Sequence, residues 1–237
     1  MRIPALAILA IATVSVAGPA AAQTYAPGYP VCMHVWGPAG TELMLGGVLQ
    51  YFAPNARIRM ADATGLRGPE DMFKAHDIKG SGLVFKDDLV TVTAVENCHF
   101  HPDPAGGMRS EDKAFAFRFQ TPDRVIVFSG DTGKCPAMTE FARGADILFH
   151  EVVALPSIQQ LLQRELPPQL AQGLYQHMVQ DHTTAEDVGR LAQDAGVKEV
   201  VLTDLVPGRG EPDSLFIDGV RKQFCGPVRV ARDLMAF

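Results

Sequence analysis

The stretch Val125-Ile-Val-Phe-Ser-Gly-Asp-Thr-Gly133 reads as a short buried strand running straight into a turn that carries one carboxylate. The four consecutive apolar residues read as a strand of a sheet, and Asp-Thr-Gly at 131–133 ends it. Asp131 therefore stands at a strand end, where a rigid sheet fixes a side chain and the loop beyond leaves room for a ligand. Downstream, Pro136 opens a predicted helix over 136–143, Gly144 stops it, and 146–152 is the next strand.

The same alternation extends outward in both directions. Upstream, period-two spacing from Leu83 through Val95, then residues 114–120, predicts consecutive strands of one sheet. Earlier still, 31–36 reads as a strand, Gly37-Pro38 as a turn and 41–52 as a helix, with 53–82 left to loops and edge strands. Downstream, the amphipathic stretch 156–178 is broken by Pro167-Pro168 and predicts two helices. Thr183 or Thr184 caps a helix over 185–195 that Gly196 ends, followed by strand 199–203, helix 214–224 and strand 228–231. The expected fold class is α/β, in one domain over 23–237.

Composition narrows the function classes. The chain has 237 residues, 47% hydrophobic and 20% charged, which suits a globular core and excludes a disordered chain. A net charge of −6 without a basic run disfavours nucleic acid as a partner, because phosphate binding needs clustered Lys and Arg. Arg2, an apolar run over 5–16 and Ala20-Ala21-Ala22 predict a signal peptide over 1–22, hence a periplasmic or secreted protein without a stable membrane anchor. Cys32, Cys98, Cys135 and Cys225 contain no CxxC pair, which excludes a zinc-finger pattern; export permits disulfides, with Cys98–Cys135 one open pairing.

Several strand ends carry groups that suit a metal or proton chemistry. Residues 90–95 lead to Glu96-Asn-Cys-His-Phe-His101, 124–128 lead to Asp131, and 199–203 lead to Asp204, while His150-Glu151 and Asp181-His182 sit in similar positions. Singly, each is explained by turn chemistry. Together, imidazoles and carboxylates at converging strand ends suit Zn2+ or another divalent ion.

These motifs in this order, with Ala142-Arg-Gly-Ala-Asp-Ile-Leu-Phe-His-Glu151, Asp181-His-Thr-Thr-Ala-Glu-Asp187, the Leu202-Thr-Asp-Leu-Val-Pro-Gly208 segment and Val35-Trp-Gly-Pro-Ala-Gly-Thr41, resemble the ribonuclease Z and arylsulfatase-like branch of the metallo-β-lactamase superfamily. The resemblance implies an αββα sandwich and hydrolysis of an ester, sulfate ester or phosphodiester by a metal-activated water. It implies His99, Asp131 and Asp204 as metal ligands, with His101 as the alternative to His99. It implies His182 as proton donor to the leaving group, with His150 and Glu151 in support. His34, His76 and His177 match no ligand position. Two departures stand out: the family's His-x-His-x-Asp-His motif has no counterpart ahead of Val35, so the fold is expected to be N-terminally truncated, and Asp204 stands where the family has its last histidine ligand. His99-Phe-His-Pro-Asp103 imitates the missing motif in part. The missing portion implies an apolar sheet face covered by a homodimer or a separate N-terminal partner. A non-catalytic relative kept for binding is the alternative function.

Overall fold

The structure is a computed structural model, and it describes residues 33–62, 68–100, 112–208 and 210–237. The expected signal peptide, Cys32, His101 and Asp103 lie outside these residues. The chain divides into two compact units, Met1–Lys79 and Gly80–Phe237.

In the first unit, strands β1 (Met33–Pro38) and β2 (Phe73–Ile78) pair in parallel, joined through helix α1 (Thr41–Asp62) and the single turn α2 (Pro69–Met72). Two expectations are corrected here. Strand β1 continues through Gly37 and Pro38, because both still pair with β2 (Gly37 with Asp77, Pro38 with Ile78). Helix α1 runs on past Phe52 and carries Pro54 inside it, so most of the stretch assigned to loops is helix. The start of α1 is fixed from β2: the Asp77 carboxylate accepts from the amides of Gly40 (3.1 Å) and Glu42 (3.0 Å), which satisfies otherwise orphaned donors. These amides hold the Asp77 carboxyl below its ordinary range.

The second unit is a seven-stranded sheet. Its order is β3 (Gly82–Lys86), β4 (Thr91–Glu96), β5 (Phe115–Gln120), β6 (Val125–Phe128), β7 (Ile147–Val153), β8 (Val200–Val206) and β9 (Val228–Val230). Pairing is antiparallel as far as β6 and parallel from there on, where helices α3 (Pro136–Phe141), α4 (Leu155–Glu165), α5 (Pro168–Asp181), α6 (Ala185–Ala195) and α7 (Asp213–Arg221) fall between strands. Asp146 anchors the first crossover, accepting from the Val125 amide at 2.6 Å and pairing with Lys198. Thr184 caps α6 through the Asp187 amide, and Gly196 closes it in the left-handed conformation.

Period two decides which side chains reach the core. Ala116, Val127, Leu148, Val152, Val200 and Leu202 are fully buried against Met138, Val188, Ala192, Phe216 and Val220 of the helices. Each large aliphatic so buried stabilises the fold by about 1.5–3 kcal/mol. Helices α6 and α7 touch closely because residue 189 lacks a side chain: a Cβ there would lie 2.3 Å from the Val220 carbonyl oxygen. The opposite sheet face carries aromatic rings, with Phe128 stacked on Phe149 at 4.6 Å and the chain's own Phe237 edge-on to Phe149 at 5.1 Å. Among the described residues no helix is long and apolar enough to cross a membrane.

Candidate active site

Most of the side chains singled out by the sequence gather where the loop after β4, the turn after β6 and the segment ahead of α6 are stitched to each other. The loop after β4 and the turn after β6 are joined by Asn97. Its side-chain amide donates to the carbonyls of Ser129 (2.8 Å) and Asp131 (3.0 Å), while its own oxygen accepts from the His99 amide. Thr132 Oγ1 accepts from the Cys98 amide at 3.1 Å, and the Cys98–Cys135 disulfide, left open by the sequence, closes the same junction. Gly130, at φ 59°, makes the turn; a side chain there would be strained and would crowd the Phe115 carbonyl oxygen at 3.1 Å. The third loop enters through Thr183, whose hydroxyl donates to the Thr132 carbonyl at 2.6 Å.

Glu151 is the hub. It lies within β7, not at a strand end, and is 2% exposed. One carboxylate oxygen accepts from the Thr183 amide at 2.6 Å, and the other lies 3.2 Å from His182 Nδ1. Burial pushes the Glu151 carboxyl up to about 7, against the opposing pull of the His182 hydrogen bond and charge. Burial would by itself depress His182, but the Glu151 hydrogen bond and the charges of Glu151, Asp131 and Asp181 hold it above its ordinary value. A histidine whose Nδ1 is held by a buried carboxylate has its tautomer and orientation fixed, with Nε2 left for proton transfer.

Asp204 reaches the site through an irregularity that sequence patterns do not reveal. The expected strand stops at Thr203, but β8 continues to Val206 and bulges: Thr203 pairs with Glu151 and Leu205 with Val152, leaving Asp204 out of the ladder at φ 48°. A non-glycine residue in that conformation is costly and concentrates at functional sites. Its carboxyl hydrogen-bonds that of Asp131; burial first, then the Asp131 charge and this bond, push it up to about 6.

His99 joins the cluster, its Nδ1 3.0 Å from the Asp181 carbonyl oxygen and its ring 5.4 Å from that of His182. Two neighbours were missed. His177 pairs with the buried Asp181 carboxylate at 2.5 Å, and its ring lies 5.8 Å from His182 and 6.2 Å from His99. The available signal was the four-residue spacing from His177 to Asp181, which puts both on one face of a helix that ends at His182. Asn97 was also missed. His150, in contrast, is not brought to the site. It points to the helix-packed face of β7, fully buried, with Nδ1 2.7 Å from the Glu151 carbonyl oxygen and Nε2 without a partner. Burial depresses its pKa to about 4, so it is a neutral core histidine.

The donor chemistry of Asp131, Asp204 and His99 is of the kind that suits a divalent ion. Among the described residues, however, no group of three or more His, Cys, Asp or Glu side chains is gathered closely enough to hold one. They therefore do not amount to a complete metal centre, which takes about three protein ligands. What they do form is a carboxyl pair, Asp131–Asp204, beside two histidine–carboxylate pairs, His182–Glu151 and His177–Asp181.

Residues 29–203 match the profile of a Beta-lactamase superfamily domain. Ribonuclease Z of Myxococcus xanthus is 32% identical over 112 residues, covering 47% of this chain and 32% of the relative. Ribonuclease Z of Mycobacterium tuberculosis strain H37Rv is 24% identical over 206 residues, covering 86% of this chain and 68% of the relative. The matches thus span about a third and about two thirds of those relatives. In fold, the chain is similar to the metallo-beta-lactamase fold protein YhfI from Bacillus subtilis, with a TM-score of 0.54 and 17% identity over 86% of this chain and 63% of that one. The α/β architecture, the order of the motifs and the profile match over most of its length make this chain a member of the beta-lactamase superfamily, with the metallo-β-lactamase fold.

Proposed function

We propose that the chain is a hydrolase of phosphodiester or related ester bonds in which His182, oriented by Glu151, gives a proton to the leaving oxygen. The observation that carries the reading is the buried Glu151–His182 pair opening toward the Asp131–Asp204 carboxyls. A leaving alkoxide is a poor leaving group until protonated, and a donor with a fixed tautomer supplies that proton without reorganisation. Asp181 steadies the neighbouring His99 and His177, and Asn97 ties the loop of His99 to that of Asp131.

The bond class is supported by the ribonuclease Z relatives, and among substrates of that class the net charge of −6 favours a small diester over a polyanion. The test is hydrolysis of bis-p-nitrophenyl phosphate and of a short RNA by the purified chain, with and without added Zn2+ or Mn2+. Turnover of the small diester that drops about 100-fold or more in His182→Ala is the expected result. Turnover unaffected by that substitution overturns the role of His182, and faster cleavage of the RNA overturns the substrate preference. A second reading, a non-catalytic relative, is favoured by the lack, among the described residues, of a group of three metal-ligating side chains; absence of turnover under every metal condition supports it.

A further inference from the structure

Helix α5 brings two histidines to its end, His177 in its last turns and His182 just past Asp181, and the proposed proton donation uses only the second. His177 repeats the arrangement of His182. Its Nδ1 lies 2.5 Å from the carboxylate of Asp181, which is buried, as His182 Nδ1 is held by the buried Glu151. Two such pairs therefore stand side by side, with their imidazole rings 5.8 Å apart and the ring planes at 89°. His177 is the more open of the two, its side chain 34% exposed against 7% for His182, so it is the one that meets solvent water.

We infer that His177 is a second catalytic residue, the base that takes a proton from the attacking water while His182 protonates the leaving oxygen; the inference rests on the proposed role of His182. A neutral imidazole whose Nδ1–H is given to a carboxylate keeps its lone pair on Nε2, the tautomer a base needs, and the carboxylate stabilises the imidazolium that forms. His99 suits the role less, because its Nδ1 faces a neutral backbone carbonyl, that of Asp181. Hydrogen bonds of about 2.6–3.2 Å from each ring to the entering and leaving oxygens let rings 5.8 Å apart serve opposite sides of one phosphorus. In the step, the water oxygen bonds to phosphorus as its proton passes to His177 Nε2, and the phosphorus–oxygen bond to the leaving group breaks as that oxygen takes the proton of His182 Nε2. One histidine gains a proton, the other loses one, and exchange with solvent resets both. Among the described residues no group of three metal-ligating side chains is assembled, and a histidine base supplies the water activation that such a centre otherwise provides.

The experiment measures turnover of aryl methyl phosphate diesters, from p-nitrophenyl to phenyl, by the full chain in excess chelator, in parallel with H177A, H182A and H99A. The expected result is chelator-resistant turnover that falls about 100-fold or more in H177A, by the same factor along the series, because the base acts on the water. The loss in H182A is expected to grow as the leaving oxygen becomes more basic. Added imidazole is expected to raise the rate of H177A about tenfold or more, which a merely structural defect does not allow. Wild-type turnover that appears only with added Zn2+ or Mn2+ and still depends on His182 overturns the base while leaving the proposed donor in place, and that arm needs no variant at position 177 to fold. An unchanged rate in H177A, a loss there that grows along the series or that imidazole does not restore, or rescue of H99A instead also overturns it. No turnover by the wild-type chain under any condition overturns the proposed hydrolysis itself, and the base with it.

Discussion

Replacing Glu151 with Gln removes the charge of the site's hub while keeping its shape and its contact with the Thr183 amide. The structure sets the size and sign of the effect. Burial raises the Glu151 carboxyl to about 7 in the fold, from an ordinary 4.5 once the chain unfolds. A group whose folded pKa is raised contributes stability that is complete below pH 4.5 and is lost as pH rises through 7, because the unfolded chain releases its proton first. The difference of 2.5 between 7 and 4.5 corresponds to about 3 kcal/mol. His182, also raised and paired with Glu151, acts in the same direction. His150 acts oppositely, since its folded pKa of about 4 lies below its ordinary 6.5 and its stabilisation is lost as pH falls through 4. The wild-type profile therefore mixes these contributions, and the difference between wild type and Glu151→Gln cancels that of His150 and leaves that of the coupled Glu151–His182 pair. Urea unfolding with chelator present, from pH 4.5 to 8, is expected to show wild type losing about 3 kcal/mol relative to the variant. A difference that stays constant over that range refutes the placement of Glu151 as a buried, shifted carboxyl.

Other perturbations test separate parts of the fold. His150→Leu removes a buried imidazole with an unpartnered Nε2, and acid unfolding followed by circular dichroism should shift its midpoint to lower pH. Reducing the Cys98–Cys135 disulfide, which closes a loop of sequence separation 37, should cost about 4 kcal/mol by the chain-entropy relation, read from urea curves with and without reductant. Gly189→Ala forces a Cβ against the Val220 carbonyl and should cost about 1–3 kcal/mol, seen as a lower thermal midpoint. Asn97→Ala unties the loops of His99 and Asp131 and should reduce turnover of any diester substrate more than it reduces stability, measured as kcat against Tm.

Local rules carried much of the fold. The apolar run over 125–128, the prolines at 136, 167 and 168, and the caps at Thr184 and Gly196 act within a few residues of themselves, so their strands, helix breaks and helix ends were legible in order. The αL stop at Gly196 needs no tertiary partner. The motifs of Asp131, Glu151 and His182 were likewise visible, because the resemblance rests on their order along the chain.

Tertiary structure decided how those residues meet. His150 and Glu151 are adjacent, yet strand alternation sends one into the helix-packed core and the other to the site, and only the sheet's orientation says which. Asp204 looked like a residue beyond a strand end, and it is a bulge whose position depends on the register of β8 against β7. His177 and Asn97 belong to the site because of contacts spanning many residues, and His34 meets His76 across a parallel pairing that brings together positions 42 apart. Sequence patterns encode what each segment prefers alone. Which side chains become neighbours is set by long-range pairing, whose register is a collective property of the packed sheet.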